Sequence, residues 1–269
     1  MDPVAVEIGP IAIRWYGVFV ALGFLAGLFF VQRRAARSGF GGERAGNLVL
    51  LGLLGGLVGA RLFYVLTNWA YFRAAPMEIL RVDHGGLVFY GGLIGGTLTL
   101  VVACLVLRIP MGRLADLFIP GLPLGHAFGR VGCFLNGCCF GRVCDAPWGM
   151  RYGAGSQAAV AQYHQGLLAE ATNTPLPVFP VQLLAAGANV AIFAFLLWIE
   201  RRLRFRGQLL AVYLIVYGVY RFLHEFLRGD YLEPGLFTPA QEVSFVMVPV
   251  GVALFYLARR TQRAEPHTE

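Results

Sequence analysis

The sequence has no lysine and little charge of either sign. All 22 basic residues are arginine, and charged residues make up 14% of the chain. A soluble domain carries about a quarter charged residues. Serine is scarce, occurring at Ser38, Ser156 and Ser244. Each lies away from the histidines, which argues against an intramembrane serine hydrolase. The five aspartates are scattered, so the clustered aspartates that CDP-alcohol transferases need are missing. There is no basic run at the start: Met1 to Pro10 carries Asp2 and Glu7, which does not read as a signal peptide.

Apolar residues are abundant. Hydrophobic residues reach 57% and mean hydropathy is +0.64. Runs of about 20 apolar residues recur along the chain, each long enough to cross a hydrocarbon core of roughly 30 Å as a helix. Their period is helical or uniformly apolar, not alternating, which excludes a β-barrel. The pattern predicts an all-α polytopic membrane protein with about seven spans, near 12–32, 46–67, 86–107, 114–135, 179–199, 208–228 and 239–258. It predicts a single transmembrane domain over 1–269, with an external loop at about 136–178 that contains a short helical stretch near 156–171.

The net charge of +7 would suit nucleic acid, but the positions of the arginines point elsewhere. Arg33, Arg34, Arg37 and Arg44 follow the first span, and Arg108 and Arg113 follow the third. Arg201, Arg202, Arg204 and Arg206 follow the fifth, and Arg259, Arg260 and Arg263 the last. Membrane topology accounts for these residues, so no nucleic-acid partner is expected. The positive-inside rule puts the N-terminus outside and the C-terminus in the cytoplasm.

Ionisable groups inside spans cost about 2.5 kcal/mol or more each on insertion scales, so they face a cavity or a partner. Arg61, Arg130, Arg221 and Glu225 fall in the later parts of spans that run outward, and Tyr16 and Tyr90 in the early parts of spans that run inward. The expectation is one polar layer in the outer half of the bilayer. Arg221, Glu225 and Arg228 share a helix face at i, i+4, i+7, and His126 lies one turn before Arg130. Several arginines against one carboxylate leave excess positive charge. A phospholipid phosphate is the natural complement, because the planar guanidinium fork binds phosphate in bidentate fashion. Six glycines between Gly85 and Gly96 allow either close helix packing or a cavity.

Five segments resemble the prolipoprotein diacylglyceryl transferase family: Ile13–Gly17, Gly59–Tyr64, Gly85–Gly95, Gly129–Gly137 continuing to Arg142, and Tyr217–Arg221 followed by Glu225 and Arg228. Their order and spacing cover nearly the whole chain. The resemblance implies transfer of the diacylglyceryl group of phosphatidylglycerol to the lipobox cysteine thiol of a prolipoprotein signal peptide, releasing glycerol 1-phosphate. It also implies a bacterial cytoplasmic (inner) membrane protein with its site toward the outer leaflet, membrane lipids as partners and no cofactor or metal. Arg130, Arg221 and Glu225 are implied to be catalytic. Tyr16, Arg61, Gly129, Asn136, Gly141, Tyr217 and Arg228 are implied to bind substrate. The alternatives are a diverged member with another lipid or acceptor, and a non-catalytic phospholipid-binding or transport protein.

The chain departs from the family pattern at several positions. Tyr90 stands where the family has a histidine that is a candidate base. Cys133 replaces an asparagine, Cys138 a glutamate, and Leu184-Ala185 a Tyr-Glu pair. Either His126 or His84 is the expected substitute base. Four of the five cysteines fall in Cys133-x4-Cys138-Cys139-x4-Cys144, which is not C-x-x-C metal spacing. A disulfide, a reactive thiol and plain packing all remain open for this group.

Overall fold

A computed structural model describes residues 3–9, 11–81, 85–230 and 236–264. The chain forms two compact units: Met1–Gly27 with Phe118–Glu269, and Leu28–Leu117.

In the first unit the chain begins with an antiparallel hairpin, β1 (Val4–Ile8) and β2 (Ile11–Arg14). Arg14 therefore ends a strand; the sequence pattern had put it inside the first span. Helix α1 (Trp15–Arg37) follows and crosses the boundary between the units. Its first half packs on α6 (Gly121–Asn136), where a Cβ on Gly23 would meet the Gly125 carbonyl at 2.7 Å and a Cβ on Gly132 would meet Phe19 at 3.0 Å. These glycines let the two backbones approach closely. The unit continues through α7 (Gln157–His164), α8 (Val181–Glu200), α9 (Gln208–Glu225) and α10 (Pro239–Ala264). Ile119, Ile192, Leu196, Leu209 and Tyr213 form one apolar cluster within it.

The second unit holds the rest of α1, α2 (Gly42–Thr67), α3 (Trp69–Ala74), a 3-10 turn at Pro76–Leu80, α4 (Phe89–Val106) and most of α5 (Met111–Phe118). Helices α2 and α4 touch along a glycine seam. A Cβ on Gly59 would meet the Cα of Gly95 at 2.8 Å, and one on Gly96 the Gly52 carbonyl at 3.0 Å. Of the two uses the sequence left open, Gly91, Gly92, Gly95 and Gly96 serve packing against α2, while Gly85 and Gly86 take left-handed conformations ahead of α4.

Among the described residues, α1, α2, α4, α8 and α10 are long and apolar enough to cross a membrane. The expected fourth span is two helices, α5 and α6, interrupted at Ile119–Pro120. Pro120 has no amide hydrogen to continue the ladder, and its ring clashes with the preceding turn. The other two expected spans, α6 and α9, fall outside the set of five and carry the polar groups. Apolar side chains are exposed along α1, α2 and α4, as lipid contact requires. Within the expected loop, only Gln157–His164 is helical, started by Ser156, whose hydroxyl accepts from the Ala159 amide at 3.3 Å.

Candidate active site

The site begins at the end of α6. Gly137 is left-handed at φ 71°, a conformation glycine adopts without a Cβ penalty. Its amide returns to the Phe134 carbonyl at 3.3 Å, and that of Cys138 to the Cys133 carbonyl at 3.1 Å. This double closure reverses the chain directly after the helix. The segment that follows is stitched to the end of α9 and to Phe179. The Gly141 amide donates to Phe179 at 3.0 Å, that of Arg142 to Leu227 at 3.2 Å, and that of Gly229 to Phe140 at 3.1 Å. A Cβ on Gly141 would meet the Phe179 carbonyl at 2.7 Å, so only glycine fits. Gly141, expected from the sequence to bind substrate, has a backbone role here: it locks the segment after α6 onto the α9 terminus.

Within this frame, α6 and α9 bring their arginines to one place. Arg130 Nε donates to His126 Nε2 at 3.0 Å, and His126 Nδ1 lies 3.4 Å from the Tyr217 hydroxyl. The buried Asn189 of α8 stands beside the same ring. Tyr217 stacks on Tyr213 with centroids 5.3 Å apart. On α9, Arg221 pairs with Glu225 one turn on. The charges of Arg130 and Arg221 are both felt at the His126 ring and the Tyr217 hydroxyl. Arg130 makes no other hydrogen bond among the described residues, so both its terminal nitrogens are open. Arg221 uses one of its two for Glu225.

Arg228 is occupied differently. Its Nε donates to Asp230 Oδ1 at 2.9 Å and its Nη2 to Oδ2, while Nη1 lies 3.9 Å from Glu225. Among the described residues, Arg221 and Arg228 both lie against Glu225, and Asp230 takes the other side of Arg228. Arg228, Glu225, Gly141 and Arg142 line a cavity of about 470 Å³, together with Gln165 and Gln241. Tyr16, in the first turn of α1, lies near Cys133, Cys138, Cys139 and Arg130, so α1 contributes to the same place. A Cβ on Gly129 would meet nothing within 4 Å; this glycine leaves space beside Arg130.

Two expected residues belong to the other unit. Tyr90 is exposed in the first turn of α4. Arg61 is buried and fully committed. Its Nε donates to Ile79 at 2.9 Å, Nη1 to Gly85 at 2.8 Å and Gly86 at 3.2 Å, and Nη2 to Arg81 at 2.9 Å and to Glu78. All five of its N–H groups meet backbone carbonyls, which leaves no donor for a phosphate. The lipid-site role expected of Arg61 therefore gives way to a structural one. His84 lies outside the described residues.

Several site residues gave no sequence signal. Asp230 neutralises Arg228. Gln182 donates to the Cys138 carbonyl at 2.8 Å and to the Tyr152 hydroxyl at 3.1 Å, and Tyr152 donates to Phe134 at 3.3 Å. Burial pushes the Tyr152 phenol up to about 12, so it stays a donor at neutral pH. Gln182 opens the stretch that departs from the family pattern and keeps a structural role in it.

Residues 3–257 match the family described as prolipoprotein diacylglyceryl transferase. The chain belongs to that family. It is similar to the phosphatidylglycerol–prolipoprotein diacylglyceryl transferase of Vibrio vulnificus, at 36% identity over 94% of this chain and 90% of the relative. The enzyme of the same name from Rhodospirillum rubrum is 36% identical over 97% and 94%. That of Clostridium tetani is 30% identical over 96% and 98%. Like the prolipoprotein diacylglyceryl transferase family as a whole, the chain is a multi-pass membrane protein.

Proposed function

We propose that this chain transfers the diacylglyceryl group of phosphatidylglycerol to the thiol of a lipobox cysteine in a prolipoprotein, releasing glycerol 1-phosphate. The observation that carries this reading is the pair of guanidinium groups with open donors, Arg130 and Arg221, which share one neighbourhood between α6 and α9. The names of the relatives support the substrates.

In this reading the two open nitrogens of Arg130 take the lipid phosphate in bidentate fashion, and the free edge of Arg221 takes a further oxygen. As the glyceryl C–O bond breaks, charge grows on the phosphate oxygen, and the two guanidiniums stabilise it. Glu225 fixes Arg221, while His126 and Tyr217 fix Arg130. Both nitrogens of His126 are engaged by those neighbours, so the geometry favours a positioning role over that of a free base. Tyr16, Gly129 and Asn136 border the lipid. The site faces the outer leaflet of the bacterial inner membrane, with the N-terminus outside, the C-terminus cytoplasmic and seven spans in one domain.

The test is transfer of labelled diacylglyceryl from phosphatidylglycerol vesicles to a lipobox peptide by the purified protein. Transfer by the natural chain and its loss in Arg130→Gln are expected. Phosphatidylglycerol binding without transfer would favour the non-catalytic alternative.

A further inference from the structure

The sulfur atoms of Cys133, Cys138 and Cys139 all lie within 4.8 Å of one another, although their spacing along the chain is not that of a metal motif. The reversal at Gly137 brings them together: it folds Cys138 back over the last turn of α6, where Cys133 sits. Cys139 then takes a left-handed φ of 56°, unusual for a residue with a Cβ and typical of segments that serve a ligand. Gln182 pins the Cys138 carbonyl from α8, and Tyr152 pins the Phe134 carbonyl. The three thiols are thus held from both sides, not carried on a loose loop. Cys104 and Cys144 stand apart, and all five cysteines are free thiols.

We propose that Cys133, Cys138 and Cys139 bind one thiophilic divalent cation, Zn2+, with its fourth position open to the acceptor thiol. Zinc–thiolate bonds of about 2.3 Å in a tetrahedron put sulfurs about 3.8 Å apart, so the cluster needs only a small contraction. No further His, Cys, Asp or Glu joins the group among the described residues. Three protein ligands and an open position are the arrangement of reactive zinc centres; structural ones are closed by four. Three thiolates and Zn2+ carry a net charge of minus one, and the charges of Arg228 and Arg130 reach the cluster.

The site supplies what Tyr90 lacks. A thiol that coordinates zinc is deprotonated outright, with its proton passing to water. The bound sulfur then gives a lone pair to the glyceryl carbon. The C–O bond breaks with its electrons going to the phosphate oxygen, and the product thioether, a poorer ligand, leaves the metal. Zinc is neither oxidised nor reduced. The acceptor half of this inference rests on the function proposed above; the metal site does not.

The full chain in detergent, reduced with a phosphine and titrated with Co2+ alone, tests the site. Thiolate-to-cobalt absorption saturating at one equivalent and displaced by Zn2+ is expected. It should persist in Cys144→Ser and disappear in Cys133→Ser and Cys139→Ser, with melting of each variant checked in the same detergent. Absorption that never appears while all thiols titrate as free, or that survives Cys133→Ser, overturns the site. So does a disulfide among these residues in protein isolated from membranes without reductant. Transfer should fall at least tenfold with a chelator and return with Zn2+; transfer indifferent to the chelator overturns the acceptor half. Cobalt binding by a protein that never transfers lipid would sink the proposed function and leave the metal site standing.

Discussion

Arg61 and Arg130 are both arginines on apolar helices, yet they are spent in opposite ways. Arg61 meets five backbone carbonyls between Glu78 and Gly86 and has nothing left to offer. Arg130 gives one hydrogen to His126 and keeps its terminal nitrogens open. The surroundings follow the same division. Helices α2 and α4 close on a glycine seam with backbone against backbone, whereas α6 and α9 keep space at Gly129 and a cavity at Arg228. A buried arginine is therefore a functional signal only after its donors are counted. Saturation by carbonyls marks a brace, whereas open donors are what a binding site requires.

The comparison can be broken most sharply by exchanging the losses. Arg130→Gln should cut transfer at saturating lipid by a hundredfold or more, at about the scale of a lost charge-stabilising donor, with little change in melting. Arg61→Gln should instead lose more than about 3 kcal/mol of stability by stranding several buried carbonyls. A well-folded Arg61→Gln that binds phosphatidylglycerol poorly would reverse the assignment. Next in size, Gly59→Val should part α2 from α4 and lower melting strongly, while Gly129→Ala should melt like the natural chain and weaken lipid binding severalfold. His126→Ala should lower transfer about tenfold at constant pH optimum, as expected if the ring positions Arg130; disappearance of an acidic limb from the pH–rate profile would make it a base instead. The smallest effect concerns Tyr152. Its phenol is raised to about 12, so its neutral form favours folding. That contribution should be complete below the unfolded value near pH 10 and decline as pH rises toward 12, a trend that Tyr152→Phe should abolish in melting curves.

The helices were legible because apolar runs of membrane length leave few alternatives, and the arginines of α6 and α9 stood out because charge is costly there. The pairing of Arg221 with Glu225 followed from helical spacing alone. What escaped the sequence reading depends on irregular backbone. The partners of Arg61 are carbonyl oxygens, which every residue carries and no residue type advertises. Asp230 lies beyond the last turn of α9, where helical spacing no longer predicts a neighbour. The cysteine cluster depends on a single left-handed glycine, so its linear spacing is uninformative. The fourth expected span hid its break because Ile119 and Phe118 kept the run apolar through Pro120.

The brace at Arg61 also has a consequence in time. Helix α2 is made before its carbonyl partners, which follow 17 to 25 residues later. At synthesis rates of about 5–20 residues per second, the guanidinium waits on the order of one to five seconds. During that interval α2 must enter or border the bilayer with an unmatched cation, then draw the carbonyls of Glu78, Ile79, Arg81, Gly85 and Gly86 onto it. The order of assembly is thereby built in: the turn after α2 is wound onto the helix as it emerges, before α4 closes the glycine seam.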